Sequence, residues 1–143
     1  MPPPGVKARI DRFWRALKRI SQIKARGLEN FTSNEDLVDA GERNLQVAVE
    51  ALIDVGEFLI ARMNWRTPKS YRDIGVVLGE GKVLSSKELK LFEEAVKLRN
   101  VLIHNYVYMA AEEVYQSLER LETGLNNVMC TFLDFMEKQG LDP

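Results

Sequence analysis

The sequence predicts an all-α fold, an up-and-down bundle of about five helices in a single domain that spans residues 1–143. Three observations lead to this fold class. Apolar residues recur at helical spacing through most of the chain, capping residues and glycines separate these runs, and no run alternates apolar and polar residues as a half-buried strand does. The length is sufficient for one hydrophobic core. Residues 1–5, Met-Pro-Pro-Pro-Gly, are expected to be disordered.

The first two predicted helices are joined by a short polar break. Helix one covers about residues 6–26 and ends at Gly27, and helix two covers about 35–64, after N-cap residues in the segment 31–34. The apolar stripe of helix two is wide enough for a central, heavily packed helix. The inward positions are Ile10, Phe13, Trp14, Leu17 and Ile20 in helix one, and Leu45, Ala48, Leu52, Val55 and Leu59 in helix two.

Three further helices complete the predicted bundle. A short helix over about 70–78 begins after Ser70, and the pattern of residues 85–88 is that of a capping box that starts the fourth helix. The fifth, over about 110–139, carries a heptad that indicates either a core stripe or a dimer seam, with the core stripe favoured. Cys130 in this helix is expected to be packed. The heptad positions are Val114, Leu118, Leu121, Leu125, Val128, Phe132 and Phe135.

The side-chain inventory argues against several classes of function. Cys130 and His104 are the only cysteine and the only histidine, so a zinc or iron–sulfur site built by one chain is close to excluded. A disulfide framework is excluded, which favours a cytoplasmic protein. No apolar run has the length of a membrane span.

Charge is distributed unevenly along the chain, although the net charge is only −1. Residues 6–27 contain eight basic side chains against the single acid Asp11, and the stretch from residue 110 onward is mostly acidic. Such asymmetry is typical of a nucleic-acid-binding face or of a surface that pairs with an opposite one. A solvated helix face is the simpler interpretation of helix one taken alone. The eight basic side chains of residues 6–27 are Lys7, Arg9, Arg12, Arg15, Lys18, Arg19, Lys24 and Arg26.

The segment 99–106 carries most of the polar chemistry of the fourth helix. Arg99 continues the inward stripe of that helix, and because an isolated buried charge is very costly, it must border a cleft, pair with an acid or face a partner chain. Asn100 and His104 are four residues apart and share one helix face. If the helix continues, Tyr106 lies two turns above Arg99.

These residue types suit phosphodiester chemistry. Histidine can exchange a proton near neutral pH, and arginine can hold a phosphate and stabilise the charge that grows on it. Cleavage of RNA generally uses both an acid and a base, and a two-fold dimer would supply His104 twice. Judged without relatives, a lone histidine near a helix end is more often structural than catalytic.

The pattern Arg99-Asn100-x-x-x-His104-x-Tyr106 resembles the R-x4-H-x-Y signature of HEPN ribonucleases. Further stretches are similar to the HepT subgroup: 42–54, 70–73 and Val114-Tyr115. The resemblance implies a helical homodimer, metal-independent endoribonuclease activity on RNA without a cofactor, and a minimal nucleotidyltransferase antitoxin of the MntA type. By this resemblance Arg99 would hold phosphate, Asn100 would position it or the histidine, and His104 would transfer protons. The antitoxin would attach AMP to Tyr106.

Other polar residues have weaker support, and other functions stay open. Glu50 and Asp54, four residues apart on helix two, could hold Arg99 in place, although an exposed polar stripe is favoured. Tyr71 and Arg72 could contact RNA or a partner, although local packing is favoured. The alternatives to a ribonuclease toxin are a non-catalytic dimeric module, which docks a nucleotidyltransferase or binds a nucleotide, and a purely structural helical dimer.

Overall fold

A computed structural model describes residues 5–104 and 109–143. Within these ranges the chain forms six helices and no strand, which confirms the all-α prediction. Of the segment 1–5, which was expected to be disordered, residues 1–4 lie outside the described part. The helices are α1 (Lys7–Lys24), α2 (Leu28–Thr32), α3 (Glu35–Arg62), α4 (Tyr71–Glu80), α5 (Ser86–His104) and α6 (Ala111–Gln139).

The additional helix α2 occupies part of the predicted polar break. Phe31, which the sequence placed in that break, is fully buried, and its ring centroid lies 5.4 Å from that of Tyr115. The prediction of a break over 31–34 is therefore wrong at its start, because burial of one aromatic ring holds a short helix that has little periodicity of its own. The remaining break is short, and the Asn34 side chain accepts two backbone N–H bonds that start α3.

Helix α3 is the centre of the bundle, in agreement with its wide apolar stripe. It packs against each of the other five helices, whereas α1, within the described residues, does not contact α5. The heptad of α6 is a core stripe and not a dimer seam, because all of its positions except Phe135 are buried within one chain. Cys130, expected to be packed, is exposed, since it points away from the side of α6 that carries Val128 and Phe132.

Two glycines allow α5 to lie close to its neighbours. A Cβ added at Gly75 of α4 would be 2.8 Å from Cδ1 of Phe92, and one added at Gly124 of α6 would collide with the side chain of Leu91. A larger residue at either position would require the side chains of Phe92 or Leu91 to move or α5 to shift. These contacts fix the position of the helix that carries Arg99, Asn100 and His104.

Candidate active site at the end of helix α5

Helix α5 carries three of the four motif residues. It begins with the predicted capping box, in which Ser85 Oγ accepts the Glu88 N–H at 3.2 Å and Glu88 Oε1 accepts the Ser85 N–H at 3.1 Å. The pKa of Glu88 is lowered: burial raises it, but hydrogen bonds from Thr131 and Ser85 outweigh that effect. The helix extends to His104, so Asn100 and His104 do share one face of it. Tyr106 lies outside the described residues.

Arg99 is largely covered, yet its guanidinium is loosely held. Its side chain is 18% exposed, and its Nε lies 3.6 Å from Glu50 Oε1. That separation allows an ion pair but exceeds a hydrogen bond, and within residues 5–104 and 109–143 the buried Nε has no hydrogen-bond partner. Its Nη1 donates to Asn100 Oδ1 at 3.2 Å, and the guanidinium carbon lies 5.0 Å from the centre of the Tyr71 ring. Among the described residues, the Nε donor of this arginine is therefore unused.

The two carboxylates considered on α3 have different partners. Glu50 faces Arg99 and also accepts a hydrogen bond from Gln46 Nε2 at 2.9 Å. Asp54 does not reach the site, because its Oδ2 pairs with Arg9 Nε of α1 at 3.0 Å. Glu50 and Asp54 are thus one turn of α3 apart, but Glu50 lies beside Arg99 whereas Asp54 forms an ion pair between α1 and α3.

The start of α4 brings Tyr71 and Arg72 to the site. Tyr71 is 43% exposed, and because its ring lies against Arg99 it is more than local packing at a helix start. Arg72 is exposed, with its Nε 3.7 Å from Glu93 Oε1. Asn100 and Arg72 both line a cleft of about 370 Å³ between α4 and α5, together with Lys90, Glu93, Glu94, Val96 and Lys97.

A network of ion pairs joins Arg66 to the first turn and to the last residue of α4. Arg66 donates to both oxygens of Asp73, at 2.9 and 3.1 Å, and to both oxygens of Glu80, at 2.9 and 3.1 Å. Asp73 also accepts the Lys69 N–H at 2.9 Å. The hydrogen bonds from Arg66 and Lys69 lower the pKa of Asp73 to about 2, and the bonds from Arg66 lower that of Glu80. We call the side chains of Arg66, Asp73 and Glu80 the Arg66 clamp.

The sequence did not reveal the Arg66 clamp or the cleft lined by Lys90 and Lys97. The clamp residues are seven and fourteen positions apart, and only the turn before α4 brings them together. A signal for the cleft was present in the sequence, since Lys97, Asn100 and His104 follow each other at helical spacing. His104 itself is exposed at the end of α5.

Within residues 5–104 and 109–143, no three histidine, cysteine, aspartate or glutamate side chains are grouped so that they could hold a metal ion. No helix in these ranges is long and apolar enough to cross a membrane.

Known proteins are similar to this chain in sequence and in fold. The tRNA nuclease HepT of Aphanizomenon flos-aquae is 23% identical over 118 residues, which cover 81% of this chain and 79% of that protein. A Bacillus subtilis protein named as a candidate RNase, YutE, is 26% identical over 105 residues, which cover 71% and 73%. A solved structure of the tri-AMPylated Shewanella oneidensis HEPN toxin with an MNT antitoxin superimposes with a TM-score of 0.83 at 22% identity, over 90% of this chain and 96% of that one.

Six helices and no strand within the described residues define a small all-α domain. A family model described as Ribonuclease HepT-like matches residues 14–131. The chain therefore belongs to the HepT-like family.

Proposed function

We propose that this protein is a ribonuclease toxin that cleaves RNA without a metal ion, with Arg99, Asn100 and His104 around the reacting phosphate. The observation that carries the proposal is the state of Arg99, a covered guanidinium whose nearest carboxylate is beyond hydrogen-bond distance. A buried arginine with a structural role would be expected to have its donors satisfied. Arg99 instead retains donors for a phosphate, and relatives in the family are named as nucleases.

The proposed reaction is an internal transfer at phosphorus. The 2′-oxygen of the RNA attacks the adjacent phosphorus, and the bond from phosphorus to the 5′-oxygen breaks. The 2′-hydroxyl loses a proton to a base and the leaving 5′-oxygen gains one from an acid, which leaves a 2′,3′-cyclic phosphate and a 5′-hydroxyl. His104 would perform one proton transfer, and Arg99 would stabilise the charge on the phosphate.

The second proton transfer favours a homodimer. The chain contains one histidine, so two copies of α5 facing each other across a two-fold axis would place two His104 side chains in one cleft. Val101 and Ile103, beside His104, are apolar and partly exposed, which suits contact with a second copy. The exposed ring of Tyr71 would stack on a base.

The proposal extends to regulation of this site. The toxin would be a cytoplasmic protein, and a nucleotidyltransferase antitoxin would inhibit it. Transfer of AMP to Tyr106 would add bulk and negative charge close to the residues that bind phosphate, and so would exclude RNA. The AMPylated neighbour in complex with an MNT antitoxin supports this part of the proposal.

The test is cleavage of purified tRNA and total RNA by unmodified protein in the presence of a chelator. We expect cleavage products with cyclic phosphate ends, and no cleavage by His104→Ala. Arg43→Ala, a change at an exposed position on α3, is the matched control and should cleave like the parent. Intact mass identifies any AMP already attached.

If the unmodified, dimeric parent protein does not cleave RNA, the nuclease proposal is contradicted and the non-catalytic module is favoured. Binding of a nucleotide or a nucleotidyltransferase would then be measured. For the antitoxin, Tyr106→Phe should abolish AMP addition, whereas Tyr108→Phe should not. Equal AMP addition to both variants would place the modification elsewhere.

A further inference from the structure

We infer that the exposed face of α1 is a docking surface for the phosphate backbone of RNA, separate from the site on α5. Four cations of this helix define what we call the basic stripe: Arg12, Arg15, Lys18 and Arg19. The inference rests on the proposed function, because it takes RNA as the substrate of the α5 site. The basic stripe would bind the part of the RNA that extends beyond the α5 site.

The position of the basic stripe follows from the geometry of α1. The helix buries Ile10, Phe13, Leu17 and Ile20 against the bundle. At 3.6 residues per turn the four cations fall on the opposite side, over a rise of about 10 Å. All four are exposed.

The protein does not neutralise the basic stripe. Cations near the two ends of α1 are paired, Arg9 with Asp54 at 3.0 Å and Lys24 with Glu122 at 2.6 Å. No ion pair found within residues 5–104 and 109–143 involves a cation of the stripe. Like charges three and four residues apart repel each other along a helix. The exposed acid Asp11, beside Arg12, can offset only part of this repulsion among four cations, so an external polyanion would reduce it further.

The composition of this face favours RNA over a protein partner. The only large hydrophobic side chains found exposed among the described residues are Leu28 and Tyr71, and neither belongs to α1. Protein interfaces depend on buried aromatic and apolar anchors, whereas a phosphate backbone is bound by cations in a row. The basic stripe is a row of cations and contains no aromatic or apolar anchor.

The basic stripe and the α5 site lie on different helices that both pack against α3. Since α3 lies between α1 and α5, the two are at least a helix width apart, about 10 Å. The Arg9–Asp54 pair is one turn of α3 away from Glu50, which faces Arg99. An RNA of tRNA size would contact both surfaces, and an oligonucleotide of a few residues would contact only the site.

The test measures binding of tRNA to His104→Ala protein as a function of salt. Adding Arg12→Gln, Arg15→Gln and Arg19→Gln should lower the slope of log affinity against log salt by about 2–3, since each phosphate contact contributes about 0.7–0.9. The matched control replaces three exposed cations elsewhere with glutamine, Arg43, Lys87 and Lys138, and should leave the slope nearly unchanged. An equal slope for the two triple variants would overturn the inference.

A cleavage assay separates this inference from the proposed function. With His104 intact, the stripe variant should raise KM for tRNA and leave cleavage of a short oligonucleotide unchanged. If no version cleaves RNA but the stripe variant still loses its salt slope, the nuclease proposal fails and the docking surface stands. If the stripe variant binds tRNA like the parent but loses a nucleotidyltransferase partner, the surface binds protein and the inference is wrong.

Discussion

Arg66 and Arg99 both contact helix α4, and both face carboxylates, but their surroundings differ. Arg66 is exposed and donates to four carboxylate oxygens of Asp73 and Glu80. Arg99 is covered, its carboxylate is 3.6 Å away, and its Nε has no hydrogen-bond partner in the part of the chain that the structure describes. Arg66 therefore uses its donors within the fold even though it is exposed. Under the proposed function, the unpartnered Nε of Arg99, which is costly under cover, is available to a ligand.

The largest expected contrast is between the effects of replacing Arg99 and of replacing Arg66 by alanine. Arg99→Ala should lower the rate of RNA cleavage by about 10²–10³-fold, the effect of losing one group that stabilises the charged transition state. Its thermal unfolding midpoint should stay within a degree or two of the parent or rise, because a poorly satisfied buried charge is removed. Initial rates and thermal melts measure both quantities.

Arg66→Ala is the counterpart of Arg99→Ala and should reverse the pattern. Its midpoint should fall by a few degrees, because Asp73 and Glu80 lose their shared cation, and cleavage at temperatures below the transition should be nearly normal. A loss of activity in Arg66→Ala as deep as that in Arg99→Ala would contradict the distinction between the two arginines.

A smaller effect is expected at the carboxylate that faces Arg99. Glu50→Gln keeps the shape of the side chain but removes the charge that orients the guanidinium, and should lower the cleavage rate roughly tenfold through misplacement of Arg99. Asp54→Asn, one turn further along α3, is the control and should retain the parent rate because Asp54 pairs with Arg9. Equal rates for both variants would show that Glu50 does not position Arg99.

The smallest effect is a dependence of stability on pH at the Arg66 clamp. The pKa of Asp73 is lowered to about 2, so its contribution is present above the unfolded value near 3.9 and is lost as the pH falls through about 2. The parent should be more stable than Asp73→Asn at neutral pH, and the difference between their thermal midpoints should vanish between about pH 4 and pH 2. A difference that stays constant over this range would exclude the ion pair as its source.

Helix periodicity predicted most of the fold and part of the site. The stripe of α5 indicated that Arg99 borders a cleft, pairs with an acid or faces a partner chain, and the four-residue spacing of Glu50 and Asp54 made these two carboxylates candidate partners. Which of the two faces Arg99 depends on the crossing of α1, α3 and α5, which spacing along one helix does not determine. Phe31 lay among polar residues in a segment too short for a periodic signal. The Arg66 clamp depends on a turn between two helices, which periodicity does not describe.

The close packing at Gly75 and Gly124 also affects how the site could be redesigned. A backbone held on two sides leaves little freedom for α5 to slide or tilt, so new substrate preferences would come from exchanging side chains on its open face. A library that varies Lys90, Lys97 and Asn100 while retaining both glycines should therefore yield mostly folded members. Protease resistance of library members would show whether this part of the helix accepts sequence change as freely as its packing suggests.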